Sequence, residues 1–377
     1  MPNFYEFFAG GGMARAGLGD AWTCTFANDF SEQKANSYKK NWGGDHLMVE
    51  DINKIPSTSL PGTADLAWAS FPCQDLSLAG NGAGLKGERS GTFWGFIKLI
   101  QELRLQNRKP SMIVLENVYG TLTSHEGKDF EAIAKSVAGE GYNFGAIVMD
   151  AVQFVPQSRP RVFIICIDEN LNIPNDVFCK RATPAWHPEK VISAYNSLPK
   201  KVKSKWKWWK LPEPTQPLMT LDDIIEEDPQ GVKWHTKKET QAILSMMTPL
   251  NREKVITAQQ AGRLQVGTIY KRTREGIQRA EVRFDGVAGC LRTPGGGSSR
   301  QTIMVVDGPR IRTRLISPRE AARLMGLPEN YILPSKYNEA YHLLGDGVVV
   351  PVVAHIGQNI LMPIFNANAQ LQEQHVA

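Results

Sequence analysis

Cys73 stands in the run Phe71-Pro72-Cys73-Gln74-Asp75-Leu76-Ser77, directly after the apolar segment 64–70. A thiol at the end of a buried parallel strand lies at the mouth of an α/β sheet, where ligands bind in such folds. A nearby cation or helix N-terminus would raise its thiolate fraction and make it a nucleophile. The polar neighbours Gln74 and Asp75 argue against a buried structural cysteine. Residues 79–92 form a polar, glycine-rich stretch, long for a structural loop and suited to a lid that closes over a site. At the end of a later apolar run stands Glu116-Asn117-Val118. A carboxylate at a strand tip beside a nucleophile can handle protons, and capping a helix is its ordinary alternative. Gln157-Ser158-Arg159-Pro160-Arg161 comes next, and strand alternation puts Arg159 and Arg161 on one face. A guanidinium there can hold the carboxylate and thiol in register, against the plainer reading of a surface arginine pair.

A second group of residues suits a nucleotide-like cofactor. Phe7–Leu18, F-F-A-G-G-G-M-A-R-A-G-L, follows the first apolar run and opens a helical one. Glycines let a ligand approach the backbone, and a helix N-terminus favours negative charge. The spacing is not the dinucleotide pattern G-x-G-x-x-G, so the motif taken alone is equally a structural turn. Asp29 ends the second apolar run and can accept hydrogen bonds from two ribose hydroxyls, or cap the next helix. Phe30 can stack on a purine, and Asp51, followed by Ile52, can accept from an adenine amine.

The elements that must carry these residues alternate. Apolar strand-like runs at 3–8, 23–28, 64–70 and 112–115 are separated by helical patterns from Met13, through Tyr38 and over 93–105 and 130–138. Runs at 146–150 and 162–167 close the series as an antiparallel pair. The expected fold is α/β, a doubly wound, mostly parallel, Rossmann-like sheet. After about Asp168 prolines crowd the chain and the rhythm is lost; helical patterning returns at 318–325 and 349–360. The expected division is a large domain over 1–177, a smaller irregular basic domain over 178–308 inserted before the C-terminal helices, and a return to the first domain over 309–377.

Composition narrows the classes. The chain has 377 residues, enough for two domains, and a formal net charge of +5. The basic residues cluster: K-K-V-K-S-K-W-K-W-W-K at 200–210, then arginines recurring from Arg263 to Arg314. Basic residues interleaved with aromatics suit a polyanion, whereas a lysine run alone is more often a solvated face. Trp206, Trp208 and Trp209 are expected in a core. The five cysteines show no metal-ligand spacing and no disulfide framework, so no metal is expected. The sequence shows no secretory signal pattern and no apolar run approaching membrane-spanning length, and the expected location is cytoplasmic.

Taken in order, F-A-G-G-G, P-C-Q, E-N-V, Q-S-R-P-R, R-L-I-S-P-R-E-A-A-R-L-M-G-L-P (314–328) and G-D-G-V (345–348) resemble the cytosine-5 DNA methyltransferases, of bacterial or phage type. The resemblance implies S-adenosylmethionine as methyl donor and double-stranded DNA as partner, with a flipped-out cytosine as target. A cognate restriction endonuclease acting on the same site, without binding this protein, is a further expected partner; the protein itself is expected to be a monomer. Cys73 would add to carbon 6, Glu116 would act near N3 and the exocyclic amine, and Arg161 would bind O2 with Arg159 in support. Phe8, Gly10, Gly12, Asp29, Phe30, Asp51, Ile52, Pro72, Phe93 and Asp346 would line the cofactor site. Ser77 would touch the DNA backbone, and Arg272, Arg274, Arg279, Arg283, Arg292 and Arg300 would meet guanine edges or phosphates. Two positions depart from the family pattern: Asp346-Gly347, where asparagine and a small hydroxyl residue are usual, and Cys290-Leu291, where Thr-Leu is usual. A tRNA cytosine methyltransferase of the same fold and a catalytically idle DNA-binding relative remain alternatives.

Overall fold

The computed structural model describes residues 1–72, 91–215, 219–274, 276–293 and 299–376, so Cys73 and Ser77 lie outside the described residues. The chain divides into two compact units, one of 1–149, 160–213 and 350–377, the other of 150–159 and 214–349. These limits differ from the 177/178 and 308/309 divisions read from sequence.

The first unit opens with β1 (Asn3–Phe7), α1 (Met13–Leu18), β2 (Thr23–Asp29), α2 (Glu32–Trp42), β3 (Leu47–Val49) and β4 (Leu66–Ala69). Then come α3 (Thr92–Leu105), β5 (Met112–Val118), α4 (Lys128–Gly139), β6 (Tyr142–Asp150) and β7 (Pro160–Asp168). Among the described residues these strands form a seven-stranded sheet in the order β3-β2-β1-β4-β5-β7-β6. Strands β3 to β5 run parallel, and β7 pairs antiparallel with β5. Strands β4 and β5 are near-continuous apolar runs because both sheet faces are covered, and they share a core with α3 and α4. Strand order reverses between β1 and β4, which puts the ligand crevice of an open α/β sheet at the carboxyl ends of those two strands. The short β3 has no separate signature in the sequence, being only three half-buried residues.

Residues 178–213 belong to this unit because their aromatics pack on its sheet. They form β8 (Phe178–Cys179), α5 (Glu189–Ser197), α6 (Lys200–Lys203) and β9 (Trp208–Trp209). The Trp209 indole donates to the Gly145 and Ile165 carbonyls, at 3.2 and 3.1 Å, and Trp206 lies edge-on to Phe130 and Phe144.

The second unit holds α7 (Leu221–Ile224), α8 (Lys237–Ser245), α9 (Pro249–Gln260), β10 (Gln265–Arg274), β11 (Ile277–Arg283), β12 (Thr302–Asp307), β13 (Arg310–Leu315), α10 (Pro318–Leu324) and α11 (Tyr337–Asp346). The expectation of an irregular middle domain is corrected here: β11-β10-β12-β13 form a regular antiparallel sheet, with α8 and α9 packed against it. Its strands escaped the sequence reading because basic and polar residues on one face of β10 and β11 dilute the apolar alternation of Ile269, Ala280 and Val282. The 314–328 motif builds a buried knot in this unit. Arg314 and Glu320 are fully buried and paired, Ser317 and Glu320 form the capping box of α10, and Arg314 stacks on Trp234.

The chain closes with α12 (Val350–Ile356), one wider π turn (Gly357–Leu361) and α13 (Met362–Val376) in the first unit. Gly17 lets α12 approach α1, since a side chain there would overlap Val353. The expectation that no apolar run approaches membrane-spanning length is also corrected. Among the described residues one helical stretch, Tyr337–Leu371, passes that test by length and composition. Half of its apolar window is buried inside the protein, and a core helix meets the same criterion.

Candidate active site

The glycine-rich loop after β1 is shaped by backbone that L side chains rarely adopt: Phe8, Gly10 and Gly12 have φ of 57°, 56° and 77°. For Phe8 this conformation costs on the order of 1–2 kcal/mol, and its ring packs on the core. Asp29, 5% exposed at the tip of β2, binds the loop. One carboxylate oxygen accepts from Gly10 N–H and the other from Ser31 N–H, both at 2.9 Å. Each oxygen keeps a lone pair for an incoming hydroxyl. The negative charge expected at this loop is thus already supplied by the chain. Phe30 beside it is 69% exposed, an apolar ring presented to solvent. A side chain at Gly10 would meet no atom of the described residues within 4 Å, so among these residues open space faces the loop there. A buried acceptor, an exposed flat ring and an open glycine backbone fit an adenosine-type group. Asp51 caps a 3-10 turn and takes the Asn53 N–H and Nδ2–H, at 2.9 and 3.0 Å. Ile52 and Phe93 are buried in the core cluster, and Phe93 packs on Phe71. Pro72 is the last described residue before Cys73.

Behind the loop lies a polar cluster that the sequence reading missed. Glu6, 1% exposed on β1, accepts from Arg15 N–H at 3.2 Å. Burial pushes its carboxyl up to about 8 despite the opposing Arg15. The Arg15 guanidinium meets His46 Nε2 at 2.6 Å and donates to the Tyr38 hydroxyl at 3.2 Å, and it covers the Trp42 ring. Trp42 in turn donates to the Gly11 carbonyl at 2.9 Å. A glutamate inside an apolar strand is the only sequence signal this cluster offered.

Glu116 and Arg161 are brought together by the β5–β7 register, in which Val118 faces Arg161 and Glu116 faces Phe163. Arg161 Nε lies 3.2 Å from Glu116 Oε1, and the side chains are only 16% and 9% exposed. Asn117, between Glu116 and Val118, ties this tip to the end of β4. Its Nδ2 donates to the Phe71 carbonyl at 3.3 Å, while its Oδ1 accepts from Val118 N–H and the Thr121 hydroxyl.

Arg159 has different work from Arg161. It precedes β7 and belongs to the second unit, where it is 2% exposed. One terminal nitrogen donates to the Leu291 carbonyl and the Cys290 sulfur, at 2.8 and 3.2 Å; the other donates to the Gly345 and Gly347 carbonyls, at 2.8 and 2.7 Å. Gln157 also grips this region, accepting from Leu291 N–H and donating to the Leu324 carbonyl. Asp346 accepts from the Thr293 hydroxyl.

The arginines of the second unit separate by environment. Arg283 is clasped by Asp285, and Arg300 donates to Asn338 and lies over Tyr337. Arg292 is exposed. Arg272 and Arg279 face each other directly across the β10–β11 hairpin, with Glu281 3.5 Å from Arg272. Arg274 closes β10, and its side chain lies outside the described residues. The lysine–tryptophan run of the first unit is largely packing: Trp206 and Trp209 are buried, Trp208 lies against Tyr195 and His187, and Lys203 and Lys207 cover Tyr195 and Phe178.

Residues 2–362 match the family model of C-5 cytosine-specific DNA methylase. The chain belongs to that family. Among known members it is 26% identical to the type II methyltransferase M.HhaI of Haemophilus parahaemolyticus over 360 residues, covering 95% of this chain and 93% of that one. It is 24% identical to the type II methyltransferase M.HpaII of Haemophilus parainfluenzae, over 96% and 90% of the two chains. The fold is similar to that of the Entamoeba histolytica methyltransferase EhMeth, at a TM-score of 0.65 with 14% identity over 96% and 98% of the chains. It is also similar to that of a putative DNA modification methyltransferase encoded within an E. coli prophage, at a TM-score of 0.58 with 17% identity over 97% and 100%.

Proposed function

We propose that this member of the family methylates carbon 5 of a cytosine flipped out of double-stranded DNA, with Cys73 as nucleophile. The observation that carries the reading is the nearly buried Glu116–Arg161 pair at the tips of β5 and β7, with Asn117 holding the strand end that leads to Cys73. Cytosine carbon 5 is a poor nucleophile, and covalent addition divides one hard step into easier ones. The Cys73 thiolate forms a bond to carbon 6 while Glu116 delivers a proton at N3, so the ring's electron density moves to carbon 5. Arg161 holds the Glu116 carboxylate and donates to O2 of the base. S-adenosylmethionine supplies the methyl group as an electrophilic sulfonium carbon when bound. Loss of the carbon 5 proton to a base such as water, return of the N3 proton to Glu116 and departure of the Cys73 thiolate restore the aromatic ring and the free enzyme. Asp29 and the exposed Phe30 would hold the cofactor's ribose and adenine beside the Gly10 loop.

The hairpin supports duplex DNA as the substrate. Arg272 and Arg279 stand directly opposite on the hairpin with one carboxylate, Glu281, 3.5 Å from Arg272, so the group keeps an excess of positive charge that a phosphate would suit. The second unit would then read the target, and the reaction would take place in the cytoplasm on a monomeric enzyme. Flipping a base costs roughly a few kcal/mol, which pocket contacts must offset.

The test is covalent capture. A duplex with 5-fluorocytosine at the target, found beforehand by bisulfite sequencing of DNA from an expressing host, should give a denaturant-stable adduct in the presence of S-adenosylmethionine. Cys73→Ala should yield no adduct and no methyl transfer while still retarding the duplex in a gel. An active Cys73→Ala enzyme, or methyl transfer to tRNA and not to duplex DNA, would overturn the assignment.

A further inference from the structure

Within the first unit, Asp51 is fixed in both backbone and side chain, yet one of its oxygens is left over. Asn28, 1% exposed beside Asp29 on β2, donates to the Met48 and Glu50 carbonyls at 3.1 and 2.8 Å. It clamps the end of β3, where Val49 pairs with Asp29, so the Asp29 and Asp51 carboxylates stand at neighbouring strand tips. Asp51 N–H donates to Glu50 Oε1 at 2.8 Å, and the next residue, Ile52, is buried in the core that includes α3. Asn53 then holds the side chain. Its N–H and its Nδ2–H both donate to the same oxygen, Asp51 Oδ1. Among the described residues Asp51 Oδ2 takes no hydrogen bond. Asn53 is itself seated on α3 at Gly95. A Cβ there would stand 2.6 Å from Asn53 Oδ1 and 3.0 Å from Ile52 Cγ2. Glycine inside a helix is unfavourable, and the backbone at 95 does not call for one, since it is not left-handed. The close approach of Asn53 and Ile52 accounts for it.

We propose that Asn53, seated on Gly95, is a positioning residue that pins the Asp51 carboxylate with its free oxygen toward the base of the cofactor, so that the site selects adenine over a 6-oxo purine. The inference rests on the methyltransferase reading, in which an adenosine-type group lies beside Gly10, Asp29 and Phe30. An ionised carboxylate only accepts hydrogen bonds. The adenine amine donates one, whereas the oxygen of hypoxanthine would meet Asp51 Oδ2 lone pair to lone pair. Hypoxanthine does carry a neighbouring N–H at N1. A carboxylate free to rotate would turn to it, but one held through Oδ1 by two donors does not follow. Asn53 therefore acts on the difference between two ligands, by penalising the wrong one as well as favouring the right one.

Two ligands test this without turnover: S-adenosylhomocysteine, the donor after loss of its methyl group, and S-inosylhomocysteine, which has a 6-oxo group in place of the amine. Both are titrated in a calorimeter into the full chain. The wild type should prefer the adenosyl ligand about thirtyfold, the size of one hydrogen bond to a charged acceptor. Asn53→Ala should cut that preference to about threefold, by weakening the adenosyl ligand and not the inosyl one. Asn53 is exposed, so its urea midpoint should stay near that of the wild type. Gly95→Ala, which pushes the Asn53 amide off its seat, should lower the preference equally, and the double variant should lose no more, as expected of groups acting through one contact. A preference undiminished in Asn53→Ala, including one where both ligands weaken alike, would overturn the positioning role. A wild type that methylates duplex DNA but binds the two ligands equally would sink this inference alone. A wild type that binds neither would sink the methyltransferase reading beneath it.

Discussion

Replacing Arg161 with methionine should destabilise the protein more than replacing both partners of its ion pair. Arg161 Nε and Glu116 Oε1 are 3.2 Å apart, with side chains 16% and 9% exposed. At that separation and an effective dielectric of about 20, the attraction is about 5 kcal/mol before desolvation is counted. Arg161→Met leaves a nearly buried carboxylate uncompensated, a change that costs about 3–5 kcal/mol. In Glu116→Gln/Arg161→Met the stranded charge is gone, and most of that loss should return. Urea unfolding of the wild type, both single variants and the double variant gives the coupling directly; about 2–4 kcal/mol is expected. Catalysis should behave differently. If both groups act on the same base, as proposed, each single variant should lose at least about a hundredfold in single-turnover transfer of tritiated methyl. The double variant should be little worse than the poorer single one, as for residues that act as a unit. Stability effects that simply add, or an Arg161→Met protein with near-normal turnover, would refute the view that these side chains form one catalytic unit.

Two further outcomes follow from the glycine-rich loop after β1 and the polar cluster behind it. Glu6 keeps its proton in the folded protein up to about 8, against 4.5 for an ordinary glutamate, because burial disfavours its charge. Between those values the unfolded chain releases a proton that the folded chain retains, so the contribution of Glu6 to stability is full at low pH and falls as pH rises. Glu6→Gln should therefore gain on the wild type from about pH 5 to 8, by on the order of 5 kcal/mol at most; a gap between their urea midpoints that stays constant over this range would contradict it. Gly12→Ala places a Cβ against the Trp42 indole at a φ of 77°. It should cost about 1–3 kcal/mol and weaken S-adenosylhomocysteine binding in a calorimeter, with no change expected if the loop were a remote turn.

Much of the fold and part of the site were legible in the chain itself. Near-continuous apolar runs such as 66–69 and 112–115 suit strands covered on both faces, and their alternation with helical patterns pointed to the doubly wound sheet. Chemistry-bearing residues at the ends of those runs, Asp29 and Glu116, were pointed to by position alone. What the sequence could not specify was pairing across distance. Register decides that Val118 faces Arg161, and a shift of one residue would turn Arg161 to the other face of the sheet. Alternation placed Arg159 beside Arg161, but the chain leaves the strand before Pro160, and the Arg159 guanidinium follows carbonyls more than a hundred residues away. The antiparallel sheet of the second unit and the Glu6 cluster were hidden for the same reason. Local patterns report which side chains must be buried, whereas the partner that makes a buried charge or a half-exposed strand tolerable comes from elsewhere in the chain and is chosen only when the chain closes on itself.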